Sequence, residues 1–304
     1  MQEFIGVDLG SNSLRGVRMQ ILKEGGILSD FKILSEFDAT VRTAEGLEKS
    51  GEICKNALDR ILKGLESLKE SLKITKDDKI IALTTQAMRV AKNSDKILSE
   101  IYKKSGISFK IISGEQEAKI TALAPKMALK LESPFLLIDM GGASSEFILI
   151  DKEKEVAKSF SIGIVSAKDR YKSVENLREN RAEFLAPIID FIKTSEIKPN
   201  ILVANSGTPT LISALKLGLK TYQANKVFNT HLTKDDFFKT QDKFNALSEL
   251  EKVRLVGEFK ADVLPFGVEL FTSFMESLGF EKCVVVDLGL REGAVLAEVL
   301  GELF

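Results

Sequence analysis

The chain has 304 residues, 44% of them hydrophobic and 29% charged, with a formal net charge of −1. That length accommodates two domains with separate cores, and the near-neutral balance gives no global basic field that would draw the chain to nucleic acid or a membrane surface. Two cysteines, Cys54 and Cys283, are too few and too distant for a disulfide framework or a zinc knuckle and read as buried thiols of a reducing compartment.

No apolar run approaches the roughly 18 residues of a membrane span, and no signal-peptide pattern opens the sequence, so a cytoplasmic protein is expected. One histidine, His231, rules out multi-histidine metal sites and, in a loop-like stretch, reads as a surface or capping residue. Neither a Walker GxxxxGK[ST] loop nor a GxGxxG loop occurs.

In chain order, residues 4–7 and 14–22 form a strand pair, Gly25-Gly26 turns the chain, and a third strand covers 27–37. Leu47, Cys54, Leu58, Ile61, Leu65, Leu68 and Leu72 recur at helical spacing over 45–73. A buried strand at 79–83 leads to a helix over 86–104 that carries Arg89 in its first turns. A strand at 107–112 is followed by Ser113-Gly114-Glu115-Gln116-Glu117, a capping box that sets Glu117 beside the positive end of a helix. Pro125 is expected to end or kink that helix near Ala124, close to a domain boundary.

Residues 136–150 read LLIDMGGASSEFILI, a strand, a turn rich in small residues and a second strand. Strand 155–160 precedes Ser161-Ile162-Gly163-Ile164-Val165, in which Gly163 marks either a close backbone approach or a bulge. Helix 174–194 follows, then strand 200–204, which ends in Asn205-Ser206-Gly207-Thr208-Pro209 before another helix, a geometry suited to phosphate. Helices over 234–256 and 260–278, a strand at 282–287 and a helix at 294–303 complete an α/β alternation.

The turn at 139–146 has a second copy. With Asp8 laid on Asp139, Gly10 falls on Gly141, Ser13 on Ser144 and Arg15 on Glu146. Both copies read apolar run, Asp-x-Gly-x-x-Ser, apolar run, which indicates two related half-domains. Glycines bring backbone N–H groups close to an anion, and Asp139 with Glu146 offers oxygen ligands for a hard cation. A single turn of this kind is more often a plain hairpin, and Arg89 taken alone reads as one half of a surface ion pair.

DLGSNSLR (8–15), TQAMRVAKN (85–93), ISGEQEA (112–118), IDMGGASSE (138–146), SIGIV (161–165), NSGT (205–208) and DLGLREG (287–293) together resemble the exopolyphosphatase / guanosine pentaphosphate phosphohydrolase family of the actin-like phosphotransferase superfamily. The resemblance implies two ribonuclease-H-like domains, 1–122 and 123–304, with a cleft between them and the helix at 294–304 packed back on the first. It implies a catalytic set of Glu117, Asp139, Gly141 and Glu146, with Mg²⁺ on Asp139 and Glu146. Phosphate binding is expected from Asp8, Ser11, Asn12, Ser13, Arg15, Arg89, Gly142, Ala143, Ser144, Ser145, Gly207, Thr208 and Lys260.

Three positions depart from the family pattern. Ala143 replaces a third glycine, tolerable with a negative φ; Asn205 replaces a smaller residue; and Lys260 replaces an arginine fork with a point charge. The implied activity is release of terminal phosphate from inorganic polyphosphate, with Glu117 as base. The alternatives are removal of the γ-phosphate of guanosine pentaphosphate and a non-catalytic sensor of guanosine tetraphosphate or polyphosphate. A kinase-like reading of the fold is disfavoured because no acceptor motif is visible. No nucleic-acid or membrane partner is expected, and a homodimer is left open.

Overall fold

Strand and helix alternate along the whole chain, and the contacts they make divide it in two. The computed structural model describes residues 2–24, 27–152, 154–256 and 258–303, without the side chains of 27 and 258–260. The expected Gly25-Gly26 turn and the Lys260 side chain therefore lie outside the described residues. One unit is Met1–Ala128 with Leu288–Phe304, and the other is Leu129–Asp287. Among the described residues no helix is long and apolar enough to cross a membrane.

The first unit runs β1 (Gln2–Leu9), β2 (Ser13–Glu24), β3 (Ile27–Thr40), α1 (Leu47–Ser50), α2 (Lys55–Ser71), β4 (Ile80–Thr84), α3 (Gln86–Val90), α4 (Ser94–Ser105), β5 (Phe109–Ile111) and α5 (Gly114–Leu129). Its sheet order is β3-β2-β1-β4-β5, an antiparallel meander extended by two parallel strands. The single helix expected over 45–73 is two, because Gly51 adopts a left-handed φ of 71° and closes α1. The helix expected over 86–104 breaks at Asn93, whose side-chain amide is taken by the backbone of Ile53. Pro125 does not end α5. Ala122, Ala124 and Pro125 are all buried, and packing outweighs the one backbone bond that proline forfeits. Cys54, expected in a core, is exposed at the start of α2, whereas Cys283 is buried.

The second unit runs β6 (Phe135–Met140), β7 (Ser145–Asp151), β8 (Lys154–Phe160), α6 (Ile164–Tyr171), α7 (Val174–Glu179), α8 (Arg181–Thr194), β9 (Ile201–Asn205), α9 (Gly207–Lys216), α10 (Ala224–Val227), β10 (Thr230–Thr233), α11 (Lys234–Asn245), α12 (Glu249–Val256), α13 (Glu258–Leu278) and β11 (Lys282–Val286). Its order, β10-β11-β9-β6-β7-β8, contains the first unit's pattern as β8-β7-β6-β9-β11. His231 is exposed, as expected of a surface residue, but stands on the antiparallel edge strand β10 rather than in a loop. Phe147 of β7 meets Phe160 and Phe274 edge-on at 5.5 and 5.1 Å, which anchors the β6–β7 hairpin in an aromatic core.

A final helix, α14 (Leu290–Leu300), belongs to the first unit. Leu290 through Ala297 are all buried. A Cβ added at Gly6 of β1 would stand 2.0 Å from the Arg291 carbonyl oxygen, and one at Gly293 would stand 1.9 Å from that of Ile120 in α5. The helix thus packs backbone to backbone on both neighbours. Arg291, buried, donates from Nε to Glu292 at 2.5 Å and from Nη2 to Glu36 on β3. On the same face of the sheet Asp8, Arg15 and Asp38 lie in cross-strand register. Asp8 Oδ1 is sealed from solvent without a hydrogen-bond partner. Burial pushes this carboxyl up to about 6, against the pull of Arg15 and Arg291.

Two predictions follow from this packing. Gly293→Ala should lower the free energy of unfolding in urea by about 2–3 kcal/mol, because backbone faces backbone and no side chain can yield; an unchanged midpoint would contradict the close approach. Asp8 binds its proton more tightly folded than unfolded, so its contribution is most favourable below pH ~4 and is lost as pH rises to ~6. Asp8→Asn should therefore match the parent at pH 4 and exceed it by roughly 3 kcal/mol at pH 7.5. Parallel stability curves for the two proteins would refute the shift.

Candidate functional site

The carboxyl edges of the parallel strands carry the candidate residues of each unit. In the second unit, Asp139 and Glu146 face each other directly across β6 and β7, so both side chains lie on one face of the hairpin. Glu146 is 1% exposed and accepts from Ser159 Oγ at 2.7 Å. Between these acids the turn closes with a bond from Gly141 N–H to the Ser144 carbonyl, 2.9 Å.

Helix α6 fixes which way this turn faces. Its first three N–H groups have no acceptor within the helix. Ile164 N–H donates to the Gly141 carbonyl at 3.0 Å, and Val165 and Ser166 N–H donate to that of Gly142 at 2.7 and 3.0 Å. Ser166 Oγ donates to the Ala143 carbonyl at 3.2 Å and accepts from Gly163 N–H at 2.9 Å. The carbonyls of 141, 142 and 143 therefore all point towards α6. In a trans peptide the N–H lies opposite the C=O, and no cis bond occurs among the described residues. The N–H groups of Gly142, Ala143 and Ser144 thus lie on the side of the turn away from α6, a set of donors suited to an anion.

Gly163 permits this contact, since a Cβ there would lie 2.6 Å from the Gly141 oxygen and the Gly142 carbonyl carbon. Of the two readings left open for Gly163, the close backbone approach is the one observed. The sequence reading did not find α6 itself, although Gly163 followed by Ser166 three residues later carries its start signal. Ala143 is not among the residues with positive φ, which meets the condition for its Cβ.

The first-unit hairpin repeats the device with different backing. Gly10 N–H donates to the Ser13 carbonyl at 2.9 Å, as Gly141 does to Ser144. The Ser11 carbonyl accepts from Ala44 N–H, and that of Asn12 accepts from Val41 and Arg42 N–H, each at 2.9 Å. The N–H groups of Asn12 and Ser13 consequently face away from residues 41–44. Leu9, Thr84 and Ile111 are in register at the same sheet edge, which places the Asp8 turn, α3 and the start of α5 side by side.

At that edge the expected Ser113–Gln116 capping box is present in both directions, at 2.9 and 3.1 Å. Glu117 follows it, 8% exposed. Arg89 Nη1 donates to Glu117 Oε2 at 2.9 Å and to the Ile112 carbonyl at 2.5 Å, while Nε and Nη2 donate to Gln86 Oε1. Arg89 thus makes an ion pair, part-buried rather than on the surface, and its partner is the candidate base. Arg15 pairs with Asp38 at 3.1 Å. The Ser145 hydroxyl, fully buried, donates to the Ile162 carbonyl at 2.6 Å and holds the hairpin rather than facing outward. Thr208 is buried, its Oγ1 2.2 Å from where a Cβ on Gly267 would stand, so the face it offers at the edge is its backbone.

The two facing carboxylates, Asp139 and Glu146, are an all-oxygen pair, and no group of three or more potential metal-binding side chains occurs among the described residues. That donor set fits an ion such as Mg²⁺, which is commonly held by one or two carboxylates with waters and substrate phosphates.

A profile of the Ppx/GppA phosphatase family matches residues 21–302. "Exopolyphosphatase 1" of Mycobacterium bovis is 24% identical over 310 aligned residues, covering 97% of this chain and 88% of that protein. A "Guanosine-5'-triphosphate,3'-diphosphate pyrophosphatase" of Photobacterium profundum is 26% identical, and the match covers 96% of this chain but 58% of the longer relative. Among solved structures, the Aquifex aeolicus Ppx/GppA family member superposes with a TM-score of 0.77 at 26% identity, covering 100% of this chain and 99% of that one. An exopolyphosphatase of Cytophaga hutchinsonii, at 22% identity, matches in fold with a TM-score of 0.85 over 99% of this chain and 98% of that one. With its profile spanning nearly the whole sequence and its two-sheet architecture matched end to end, the chain belongs to the Ppx/GppA phosphatase family.

Proposed function

We propose that this protein hydrolyses the terminal phosphoanhydride of inorganic polyphosphate. The observation that carries the reading is the β6–β7 turn, where three N–H groups are held facing one way beside two opposed carboxylates. Phosphoryl transfer asks a protein chiefly for positioning and for stabilisation of charge on the transferred oxygens, and fixed amides supply both without reorganisation. In this reading the amides of Gly142, Ala143 and Ser144 hold the terminal phosphoryl group. Glu117 accepts a proton from the attacking water as the new P–O bond forms and the bond to the leaving phosphate breaks. Arg89 orients Glu117 through the bond already made. Asp139 and Glu146 would hold Mg²⁺, which when bound screens the negative oxygens of the substrate.

Guanosine pentaphosphate is the second candidate substrate. The Photobacterium relative is named for acting on it, and the bond broken is of the same kind. The sensor reading rests on the departures at Ala143 and Lys260; the turn accommodates Ala143 without positive φ, and the Lys260 side chain lies outside the described residues.

Three measurements test this proposal. Phosphate release from long-chain polyphosphate should require a divalent cation and stop with a chelator; side-by-side kcat/KM on guanosine pentaphosphate ranks the two substrates, and release from neither would defeat the proposal. Glu117→Gln should lower kcat by about 10²–10⁴ with little change in KM, as expected for loss of a general base; full activity would remove Glu117 from that role. Gly163→Ala, remote from the substrate in this reading, should still lower kcat at least about 10²-fold by displacing the turn, comparable to loss of an oxyanion donor. An unaffected kcat in that variant would show that the amides are not what holds the transferred group.

A further inference from the structure

A hydroxyl on the edge strand β8 is committed to one of the two facing carboxylates. Ser159 stands in register with Glu146 of β7, and Glu146 with Asp139 of β6, so the three side chains form a row on one face of the sheet. Ser159 Oγ donates to Glu146 Oε1 at 2.7 Å, and Glu146 is almost wholly buried. One step further along the same face the row reads Leu137, Ile148 and Ala157. The polar row is therefore confined to the end of the sheet that carries the β6–β7 turn. Two contacts on the opposite face hold it. Phe147 and Phe160, which follow Glu146 and Ser159 in the chain, meet edge-on at 5.5 Å. Ser145 Oγ donates across in the other direction, to the Ile162 carbonyl just beyond β8. Strands β7 and β8 are thus joined through side chains on both faces, and a rotation of the Glu146 carboxylate breaks its bond to Ser159.

That bond bears on which ion the pair takes. A carboxylate oxygen that accepts from a hydroxyl has less charge to offer a cation, and turning it towards one costs the hydrogen bond. Mg²⁺ demands near-octahedral geometry and is held by few carboxylates with waters, whereas Ca²⁺ takes more oxygens and accepts a carboxylate through one or both of them in flexible arrangements. We propose that Ser159 is a positioning residue, which keeps Glu146 from gripping an ion with both oxygens and so biases the Asp139–Glu146 pair towards Mg²⁺ over Ca²⁺. The inference rests on the metal role given to that pair above and deepens it. Partners of this kind, one step removed from the ion, orient metal-ligating groups and tune their affinity.

The test uses the full chain with Ser159→Thr and Ser159→Val, which share a shape and differ in the hydroxyl. Binding of Mn²⁺ without substrate, followed by the paramagnetic resonance of the free ion, is competed with Mg²⁺ and with Ca²⁺. Asp139→Asn should abolish Mn²⁺ binding; an ion that still binds this variant sits elsewhere and overturns the proposal, as does a parent protein that binds none. Ser159→Val should weaken Mg²⁺ about tenfold, as expected when a partner of a metal-ligating group is removed, while Ca²⁺ affinity stays within about twofold. Ser159→Thr should match the parent for both ions. The Mg²⁺ concentration that half-activates phosphate release should rise in Ser159→Val by the same factor as the binding constant. Unchanged Mg²⁺ affinity in Ser159→Val would overturn the assignment, and an equal loss for both ions would overturn the selectivity. A thermal midpoint lowered in Ser159→Val with the ratio of the two affinities unaltered would leave the hydroxyl a purely structural role. If the parent shows this selectivity and releases no phosphate from polyphosphate, the hydrolysis proposal fails while this one stands. If phosphate is released and both Ser159 variants bind the two ions as the parent does, only this one fails.

Discussion

The direction of three peptide planes in the β6–β7 turn governs the chemistry assigned to the second unit. A peptide group cannot turn its oxygen one way without turning its hydrogen the other. Helix α6 fixes the oxygens by offering amides that its own geometry leaves without acceptors. The energy involved is modest for each bond, yet the turn gains orientation from several at once, and Phe147 packs the hairpin edge-on against Phe160 and Phe274. Side chains in the turn matter less. Ser145 is committed to the Ile162 carbonyl, and Ala143 fits where a glycine was expected.

The first unit solves the same problem with a loop in place of a helix. Residues 41–44 deliver N–H groups to the carbonyls of Ser11 and Asn12, and the equivalent Gly10–Ser13 bond has the same length as its counterpart. The acids that open the two turns, however, are in unlike settings. Asp8 has a sealed oxygen under α14 between two arginines, whereas Asp139 faces a second carboxylate across the hairpin. The two hairpins share the backbone device and differ in the side chains around it.

Much of this was legible in the residues. Two copies of Asp-x-Gly-x-x-Ser between apolar runs disclosed the repeated hairpin, and strand–helix alternation disclosed the sheets. The capping box before Glu117 was read correctly because its geometry is local. What escaped depends on contacts distant in sequence. Helix α6 is short and mixed in composition, and its role depends on carbonyls some twenty residues earlier. The break at Asn93 is set by Ile53, and the passage of α5 through Pro125 is set by burial. The pairing of Arg89 with Glu117 joins two residues singled out separately for different tasks.

Helix α14 has a consequence for how the molecule comes into being. Unit 2 is one uninterrupted stretch, whereas unit 1 is closed by residues that lie beyond it in the chain. On the ribosome, where domains generally mature from the N-terminus as they emerge, the order is inverted here. The later-made lobe has all its parts first, and the face of β1 around Gly6 waits, uncovered, for a helix translated about 280 codons after the strand it seals.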